Sequence, residues 1–504
     1  MRMLRENDQM QLSLSAYRGI YDAVVPQEHL LRKIKDNIDF SFVNPMLKKQ
    51  YCEALGRPAK EPEMMFKLQF MKRIYDLSDA RLVSQAQTDM AVKYFLDLDP
   101  ESPMIDPSLM TKFRKLRITE DILEEMLKET VRQAIEKGIL KSNSILVDST
   151  HSAANARAKS PTQILRQLCR ELRREIYQNM YELSDKFPEK PDETAELNEE
   201  IDYSVRLLDA VKGGVENCDN KEVQALYSRI RALIETDRIR EIRSAADEDA
   251  RFGHKTANDT FFGYKNHIAM SEERIITAVV VTSGEVPDGK IMQTLAEKSL
   301  ENGVDVKEIV GDMAFVSEGN LDYCENNQID LIARTNPAVA AAAEKKDDGF
   351  VFNKDAGTMQ CPAGELPMRC TKTPADNGNT YLRFVFSKRK CRKCPLFDQC
   401  PLTKKSEFAY SLTLPTQKNL DRLEFEKAEA FQERLKIRHR IEEKNGEMKV
   451  AHGLRKAEST GLEAMRLQMF FTAFTVNAKR IVTLMTRNSN RLPVSFRFFP
   501  SQAV

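Results

Sequence analysis

Three acidic residues that are far apart in the sequence have flanking patterns typical of ligands for hard divalent cations. Asp148 follows the uncharged run 145–147 and Asp312 follows Ile309 and Val310, so each pattern predicts a short strand that ends in a carboxylate. Glu442 lies in a strongly helical stretch. If folding gathers the three carboxylates, they could bind two Mg²⁺ or Mn²⁺ ions that stabilise the attacking and leaving oxygens of a phosphodiester. The first hypothesis is therefore metal-dependent phosphoryl transfer.

Two cations share one face of the predicted helix with Glu442. Arg438 precedes it by four residues and Lys449 follows it by seven, and this spacing puts all three side chains on one stripe. The guanidinium and ammonium could hold phosphates while the carboxylate holds an ion. A solvated charged helix is the simpler interpretation of this pattern taken alone. Among nearby acids, Glu443 faces about 100° away and Glu447 is off the stripe, which favours Glu442.

A cysteine cluster forms a second constellation. Cys391 and Cys394 form a CxxC pair, Cys400 follows, and Cys361 precedes them by thirty residues. These four thiols could close a structural zinc site with Cys370 as a reserve ligand, and free thiols are the alternative. Basic residues crowd the same stretch, a pattern that favours contact with a phosphate backbone. They are Lys388, Arg389, Lys390, Arg392 and Lys393.

Helical patterns surround these candidate sites. Residues 1–140 have apolar spacings of three and four, which predict an all-helical domain, and the basic last helix is what suggests that this domain binds DNA. Its basic helix after Asp106 is expected to expose four cations and could read DNA, although a solvated basic face explains it equally well. These cations are Lys112, Arg114, Lys115 and Arg117.

The order of the remaining elements predicts a mixed α/β sheet with helices on both faces. A strand, then a hairpin, then strands alternating with helices is the layout of a ribonuclease H-like domain. Lys265 and His267, on the hairpin, could approach a scissile phosphate or be merely structural, and His151 is ambiguous in the same way. The expected divisions are a core at 141–160 and 246–335, a helical insertion at 161–245, a cysteine-rich insertion at 336–425, the Glu442-bearing part of the core at 426–490, and a tail at 491–504.

Composition is that of a soluble globular protein of several domains. The 504 residues are 41% hydrophobic and 30% charged, and 77 basic residues nearly cancel 76 acidic ones. The longest apolar runs are too short to cross a bilayer and no secretory signal is evident, so we expect a cytoplasmic protein without membrane contact. In that compartment the nine cysteines should be mostly reduced.

Several motifs together resemble one family. They are "ILVDSTH", "DEDARFGHK", "FFGYKNHIAM", "IVGDMAF" and "RHRIEEKNGEMKVAHGLRKAESTGLEAM", and the similarity extends to "GRPAKEPEMMFKLQFMKRIYDLSDARLVSQA" and "FLDLDPESPMIDPSLMTKFRK". The sequence resembles the DDE transposases of bacterial insertion sequences over nearly its whole length. The resemblance implies a ribonuclease H-like core with Asp148, Asp312 and Glu442 as the metal-binding triad. The sequence departs from the family pattern at Leu435, where an aromatic is usual, and at Phe315, where tyrosine is frequent.

The function that this resemblance implies is DNA transposition. Such a protein binds the element ends, cuts DNA, and joins the freed 3′-hydroxyl to target DNA with two divalent ions. Its partners would be double-stranded DNA and, because two ends are handled together, a second copy of the chain. Two alternatives stay open: a metal-dependent nuclease without strand transfer, and a catalytically inactive DNA-binding protein derived from a transposase. The expected location is the bacterial cytoplasm, at the nucleoid when bound to DNA.

Overall fold

A six-stranded mixed sheet forms the centre of the computed structural model. The structure describes residues 17–51, 59–255, 258–336, 348–353, 356–374, 380–403, 407–414 and 416–489. The predicted tail at 491–504 lies outside them, as do residues 1–16. The strands are β1 (Ser144–Ala153), β2 (Arg251–His254), β3 (Thr260–Ser271), β4 (Ile276–Ser283), β5 (Glu308–Val310) and β6 (Asp330–Ile332).

Pairing in this sheet changes from antiparallel to parallel at β1. Strand β3 pairs antiparallel with β1, β2 and β4, whereas β1 pairs parallel with β5 and β5 with β6. The parallel strands alternate with the helices Met292–Glu301 and Glu318–Asn326. Strands β1, β5 and β6 are rich in buried Ile, Leu and Val, as expected for strands covered on both faces. The predicted mixed α/β architecture is confirmed.

Helices precede the sheet, as predicted. Ser78 caps one of them, since its side chain accepts a hydrogen bond from the Arg81 amide at 3.3 Å. Pro62 occupies the first turn of another, where its missing N–H costs nothing. The helices are Arg18–Val24, Leu30–Asn37, Val43–Leu47, Pro62–Tyr75, Asp79–Thr88, Met90–Phe95, Ser108–Arg117 and Glu120–Glu136.

One apolar helix, Leu462–Ser489, joins these helices to the sheet. It packs against β4 on one side and against the helices Pro62–Tyr75 and Glu120–Glu136 on the other. Aromatic rings fill the contact: Phe66 and Phe471 have centroids 5.2 Å apart, and Phe70 and Phe474 5.5 Å. The described helices before the sheet and the sheet itself therefore share one continuous hydrophobic core.

Two further units have hydrophobic cores of their own. The helices Pro161–Asn179, Leu197–Glu216 and Lys221–Glu235 pack around buried leucines and isoleucines. The second of these continues through Gly213 and Gly214 to Glu216. The cysteine-rich unit contains the hairpin β7 (Val351–Asn353) and β8 (Thr358–Gln360), and a sheet of β9 (Arg369–Pro374), β10 (Thr380–Val385) and β11 (Ala409–Leu414).

The last helices bring the chain back to the central sheet. Within the described residues they are Lys388–Cys391, Gln417–Lys427, Glu429–Lys436, His439–Ala451, named the glutamate helix, and the apolar helix Leu462–Ser489. After the glutamate helix the chain lies along the end of β1, because the Ala153 amide donates to the Arg455 carbonyl at 3.0 Å and the Ala457 amide to the Ala153 carbonyl at 2.8 Å. Every helix in the described ranges is too short or too polar to cross a bilayer.

Candidate active site

Asp148 lies on β1, and Asp312 follows the end of the neighbouring strand β5 by two residues. The prediction that β1 ends at Asp148 was wrong, because its pairing with β3 carries the strand on to Ala153. It is β5 that ends: its pairing with β1 stops where Val310 faces Leu146, and from there to Ser152 this edge of β1 has no strand partner within the described residues. Asp148 and Asp312 each lie two residues beyond this last pair, and the charge of Asp312 acts on Asp148.

A glycine permits the close approach of the two strand segments that bear these acids. A Cβ on Gly311 would lie 2.8 Å from the Phe315 ring and 3.1 Å from the Val147 side chain. The Asp312 carboxylate then begins a short helical turn, Met313–Phe315, by accepting a hydrogen bond from the Ala314 amide at 2.9 Å. Asp312 is thereby held in place next to β1.

Burial and neighbouring charge both act on Asp148. Burial raises its pKa, and the nearby carboxylates of Asp312 and Asp288 raise it further. The Ser149 amide and the Arg438 guanidinium oppose this effect, and the resulting pKa is about 6. Carboxylates that crowd one another in this way are stabilised by a positive charge placed among them.

The glutamate helix turns its predicted stripe toward Asp148. Asn445 donates a hydrogen bond from Nδ2 to Asp148 Oδ2 at 2.9 Å, and the charges of Arg438 and Lys449 both act on Asp148. Glu442 lies on the same stripe between Arg438 and Asn445. Its Oε1 is 3.2 Å from Arg438 Nη2, and its side chain is 54% exposed. The site therefore contains the neighbouring carboxylates of Asp148 and Asp312. The Glu442 carboxylate, on the facing helix, is paired with Arg438.

The two neighbouring acids on this helix pair with other cations. Glu443 Oε2 lies 2.8 Å from Arg274 Nη1. Glu447 lies 2.8 Å from Lys444 Nζ and 3.3 Å from Lys479 Nζ. Both acids are therefore engaged elsewhere, whereas Glu442 pairs with a cation of its own stripe.

Lys265 and His267 lie on the face of the sheet opposite to Asp148. The register pairs Asp148 with Ile268, and side chains alternate along a strand, so the two basic residues point the other way. Lys265 Nζ donates to Asp288 Oδ1 and to the Val286 carbonyl, both at 2.9 Å. His267 is fully buried, and burial lowers its pKa to about 4. These contacts fit the structural alternative for both residues, and DNA binding by them stays a prediction.

Lys449 belongs to a basic group beside Asp148 that sequence reasoning only partly identified. Burial and the neighbouring charge of Lys255 lower its pKa, with Arg455 acting in the same direction and Asp148 against it. Burial and the charges of Lys449 and Lys255 also lower the pKa of His151 to about 4, although strand alternation puts its side chain with Lys265 on the face opposite to Asp148. Its ring packs on Phe261 with centroids 4.8 Å apart. Cations thus flank the carboxylates on one side.

Sequence reasoning missed Asp288, a fourth acid near this site. It begins the turn Asp288–Ile291, which packs on the turn Met313–Phe315. Asn320 joins the two turns, because its Nδ2 donates to the Gly289 carbonyl at 2.8 Å and to the Phe315 carbonyl at 2.9 Å. The sequence signal that could have identified Asp288 is an acid between a predicted strand and the start of a helix, the same pattern as at Asp312.

The predicted basic helix Ser108–Arg117 exposes only part of its charge. Lys112 and Lys115 are exposed. Arg114 instead donates to Asp79 and to Gln69 Oε1, and Arg117 stacks on the Tyr51 ring with its guanidinium 4.5 Å from the centroid. The expectation that all four cations face solvent was therefore wrong for the two arginines, which hold the helix to its neighbours.

Four cysteines line one cavity in the cysteine-rich unit: Cys361, Cys391, Cys394 and Cys400. Cys370 is exposed on β9, and all five thiols are free. In the described ranges no three Asp, Glu, His or Cys side chains are arranged so that they could hold a metal ion, here or at the candidate active site. The adjacent cations Arg389, Lys390 and Arg392 are exposed, and Lys390 Nζ lies 2.8 Å from Glu365 Oε2.

Comparisons with known proteins match two parts of the chain to transposase families. Residues 20–116 match the family model described as Transposase domain (DUF772). Residues 360–482, which include the glutamate helix, match the model described as Transposase DDE domain. No curated protein and no solved structure matches the chain.

Proposed function

Because the chain belongs to the DDE-type transposases of insertion elements, we propose that it cuts DNA at the element ends and joins the freed 3′-hydroxyl to target DNA. The observation that carries the proposal is the stripe of the glutamate helix facing Asp148, with the Asp312 charge acting on Asp148 from the turn after β5. Antiparallel pairing joins β1 through β4, and β5 and β6 are added in parallel beside β1, an arrangement that supports a ribonuclease H-like core.

The donors near Asp148 fit a hard divalent cation in chemical type. Asp148, Asp312 and Glu442 supply carboxylate oxygens, which Mg²⁺ and Mn²⁺ prefer, and the mutual crowding of Asp148 and Asp312 favours a cation between them. When bound, such ions would stabilise the attacking and leaving oxygens of a phosphodiester. These three residues are therefore the proposed metal-binding and catalytic triad.

Arg438 would couple DNA binding to the freeing of Glu442. In the structure its guanidinium pairs with Glu442, and its buried Nε has no hydrogen-bond partner among the described residues. A phosphate offers the bidentate acceptor that a guanidinium prefers. A DNA phosphate that binds Arg438 would therefore release the Glu442 carboxylate toward Asp148.

The remaining exposed cations supply the proposed DNA surface. Lys449, with Lys255 and Arg455, would hold the strand next to the carboxylates. Lys112 and Lys115, and the basic turn of Arg389, Lys390 and Arg392, would contact phosphates farther away. Two ends must be processed together, which supports a homodimer on DNA. Zinc binding by the four cysteines around the cavity stays a prediction.

Replacing the basic turn should weaken DNA binding without changing cleavage chemistry. The double variant Arg389→Ala/Arg392→Ala removes two proposed phosphate contacts, so the slope of log K against log salt should become less negative by about 2. Binding to a labelled end duplex at several salt concentrations measures the slope. Lys137→Ala, which removes an exposed cation elsewhere on the chain, is the control. An unchanged slope in the double variant would remove this turn from the DNA surface.

Strand transfer itself is the test of the proposed function. Labelled duplexes that carry the element end are incubated with the protein, Mn²⁺ and a supercoiled plasmid. Joined products that carry the label on plasmid DNA are the expected result. Cleaved ends without joined products would indicate a nuclease, and binding without cleavage would indicate an inactive DNA-binding protein.

A further inference from the structure

Asn445 occupies the one position on the glutamate stripe that sequence reasoning left unassigned. It follows Glu442 by three residues and precedes Lys449 by four, which places it on the same face of the helix. An uncharged residue between charged ones gives no signal in a search for acids and cations. Its contact with Asp148 joins residues 297 positions apart and exists only in the folded chain.

The amide nitrogen of Asn445 fixes the Asp148 carboxylate. Nδ2 donates to Asp148 Oδ2 at 2.9 Å, and the residue is only 7% exposed. Ionised Asp148 accepts hydrogen bonds only, so chemistry favours the orientation in which the amide nitrogen faces it. A hydrogen bond to a charged acceptor in a buried place restricts the rotation of both side chains.

The amide oxygen of Asn445 lacks a partner. Oδ1 is buried and accepts no hydrogen bond from any of the described residues. Buried acceptors are usually satisfied, and an unsatisfied one costs about 1–3 kcal/mol. This oxygen belongs to the side chain that contacts Asp148. It therefore indicates that a ligand next to Asp148, of a kind that an amide oxygen can bind, supplies the missing partner.

A divalent cation is the ligand that these surroundings favour. Amide oxygens are ordinary ligands of hard cations, alongside carboxylates. A DNA phosphate presents acceptors of its own and would repel Oδ1. Asp148 and Asp312 make the surroundings negative, which also favours a cation.

We propose that Asn445 serves the catalytic centre in two ways: its N–H orients Asp148, and its amide oxygen binds the divalent cation that Asp148 holds. The inference rests on the proposed function, because it assumes a cation at Asp148. It adds a neutral ligand to the three carboxylates. Asn445 is thus a cation-binding residue as well as a positioning residue.

Binding of Mn²⁺ to the full-length protein without DNA tests this inference independently of activity. Isothermal titration is carried out on the wild type, Asn445→Ala, Asn445→Asp, Asp148→Asn and the control Glu443→Gln, an acid on the same helix that pairs with Arg274. We expect Asn445→Ala to weaken binding by about 10- to 100-fold. Asn445→Asp, which keeps an oxygen ligand, should recover most of this loss, and Glu443→Gln should bind like the wild type.

The outcomes separate the inference from the proposed function. If Asp148→Asn loses Mn²⁺ and Asn445→Ala binds within about twofold of the wild type, Asn445 has no role in cation binding and the inference fails alone. If neither substitution alters binding, the cation is not held at Asp148 and both fail. Thermal unfolding shows whether any variant is poorly folded. If Asn445→Ala is destabilised, Asn445→Asp decides the question, because its failure to recover Mn²⁺ binding overturns the inference.

Discussion

Replacing Asp148 with asparagine should abolish DNA cleavage while end binding persists. The substitution keeps the side-chain shape and an acceptor for Asn445, but it removes the charge beside Asp312. We expect the cleavage rate to fall by at least ~10³-fold, equivalent to about 4 kcal/mol of transition-state stabilisation. Cleavage of a labelled end duplex with Mn²⁺ measures the rate, and a binding assay on the same duplex measures retention of the ends.

The other two acids of the triad should behave alike. Asp312→Asn and Glu442→Gln should each reduce cleavage to a similar extent, because each removes one proposed cation ligand. Glu443→Gln is the matched control, since its carboxylate is on the same helix but pairs with Arg274. A variant that cleaves at a near-normal rate would remove its residue from the triad, and normal cleavage by all three would refute the proposed site.

Loss of the Asp79 charge should destabilise the protein. Asp79 Oδ2 lies 2.5 Å from Arg114 Nη2 and Asp79 Oδ1 lies 2.8 Å from Lys72 Nζ, and the three side chains are at most 19% exposed. Asp79→Asn removes the counter-charge of Arg114 and leaves Lys72 with Glu458 Oε2, 3.1 Å away, a change that costs about 3 kcal/mol. Equilibrium urea unfolding at pH 7 measures the loss. Glu136→Gln, in an exposed helical pair with Arg132, should change stability by less than about 0.5 kcal/mol.

The same ion pairs should make stability fall in acid. Burial alone would raise the pKa of Asp79, but hydrogen bonds from Arg114 and Lys72 outweigh it and lower the pKa to about 2. An acid whose pKa is lowered by folding stabilises the protein above its unfolded pKa, here 3.8, and loses this contribution as pH falls toward 2. The difference between wild type and Asp79→Asn should therefore shrink between pH 4 and 2. A constant difference over that range would contradict the ion-pair explanation.

The helices and the general course of the sheet could be predicted because helices and strands are determined largely by residues that are close together in the sequence. Apolar spacing and caps such as Ser78 depend on residues a few positions apart. The stripe of Arg438, Glu442 and Lys449 follows in the same way from helical geometry. These features could be predicted from the chain alone.

Local patterns could not predict which side chains and strands from distant parts of the chain contact one another. Whether Arg114 meets solvent depends on Asp79, 35 residues away, and the face that Lys265 occupies depends on the register of β3 against β1. Asp148 was expected to end a strand because its own flanks do not reveal that β3 extends the pairing to Ala153. Asn445 was missed because its importance arises only from a contact made on folding.

The continuous core between the first helices and the sheet has a consequence for how the chain can be divided. Phe471 and Phe474 on the apolar helix pack on Phe66 and Phe70 from the helix Pro62–Tyr75. A fragment that begins near residue 141 would present those rings to water along with the rest of the apolar face, and should aggregate during expression. The segment 161–245, in contrast, carries its own core and is the part best suited to replacement by a short linker.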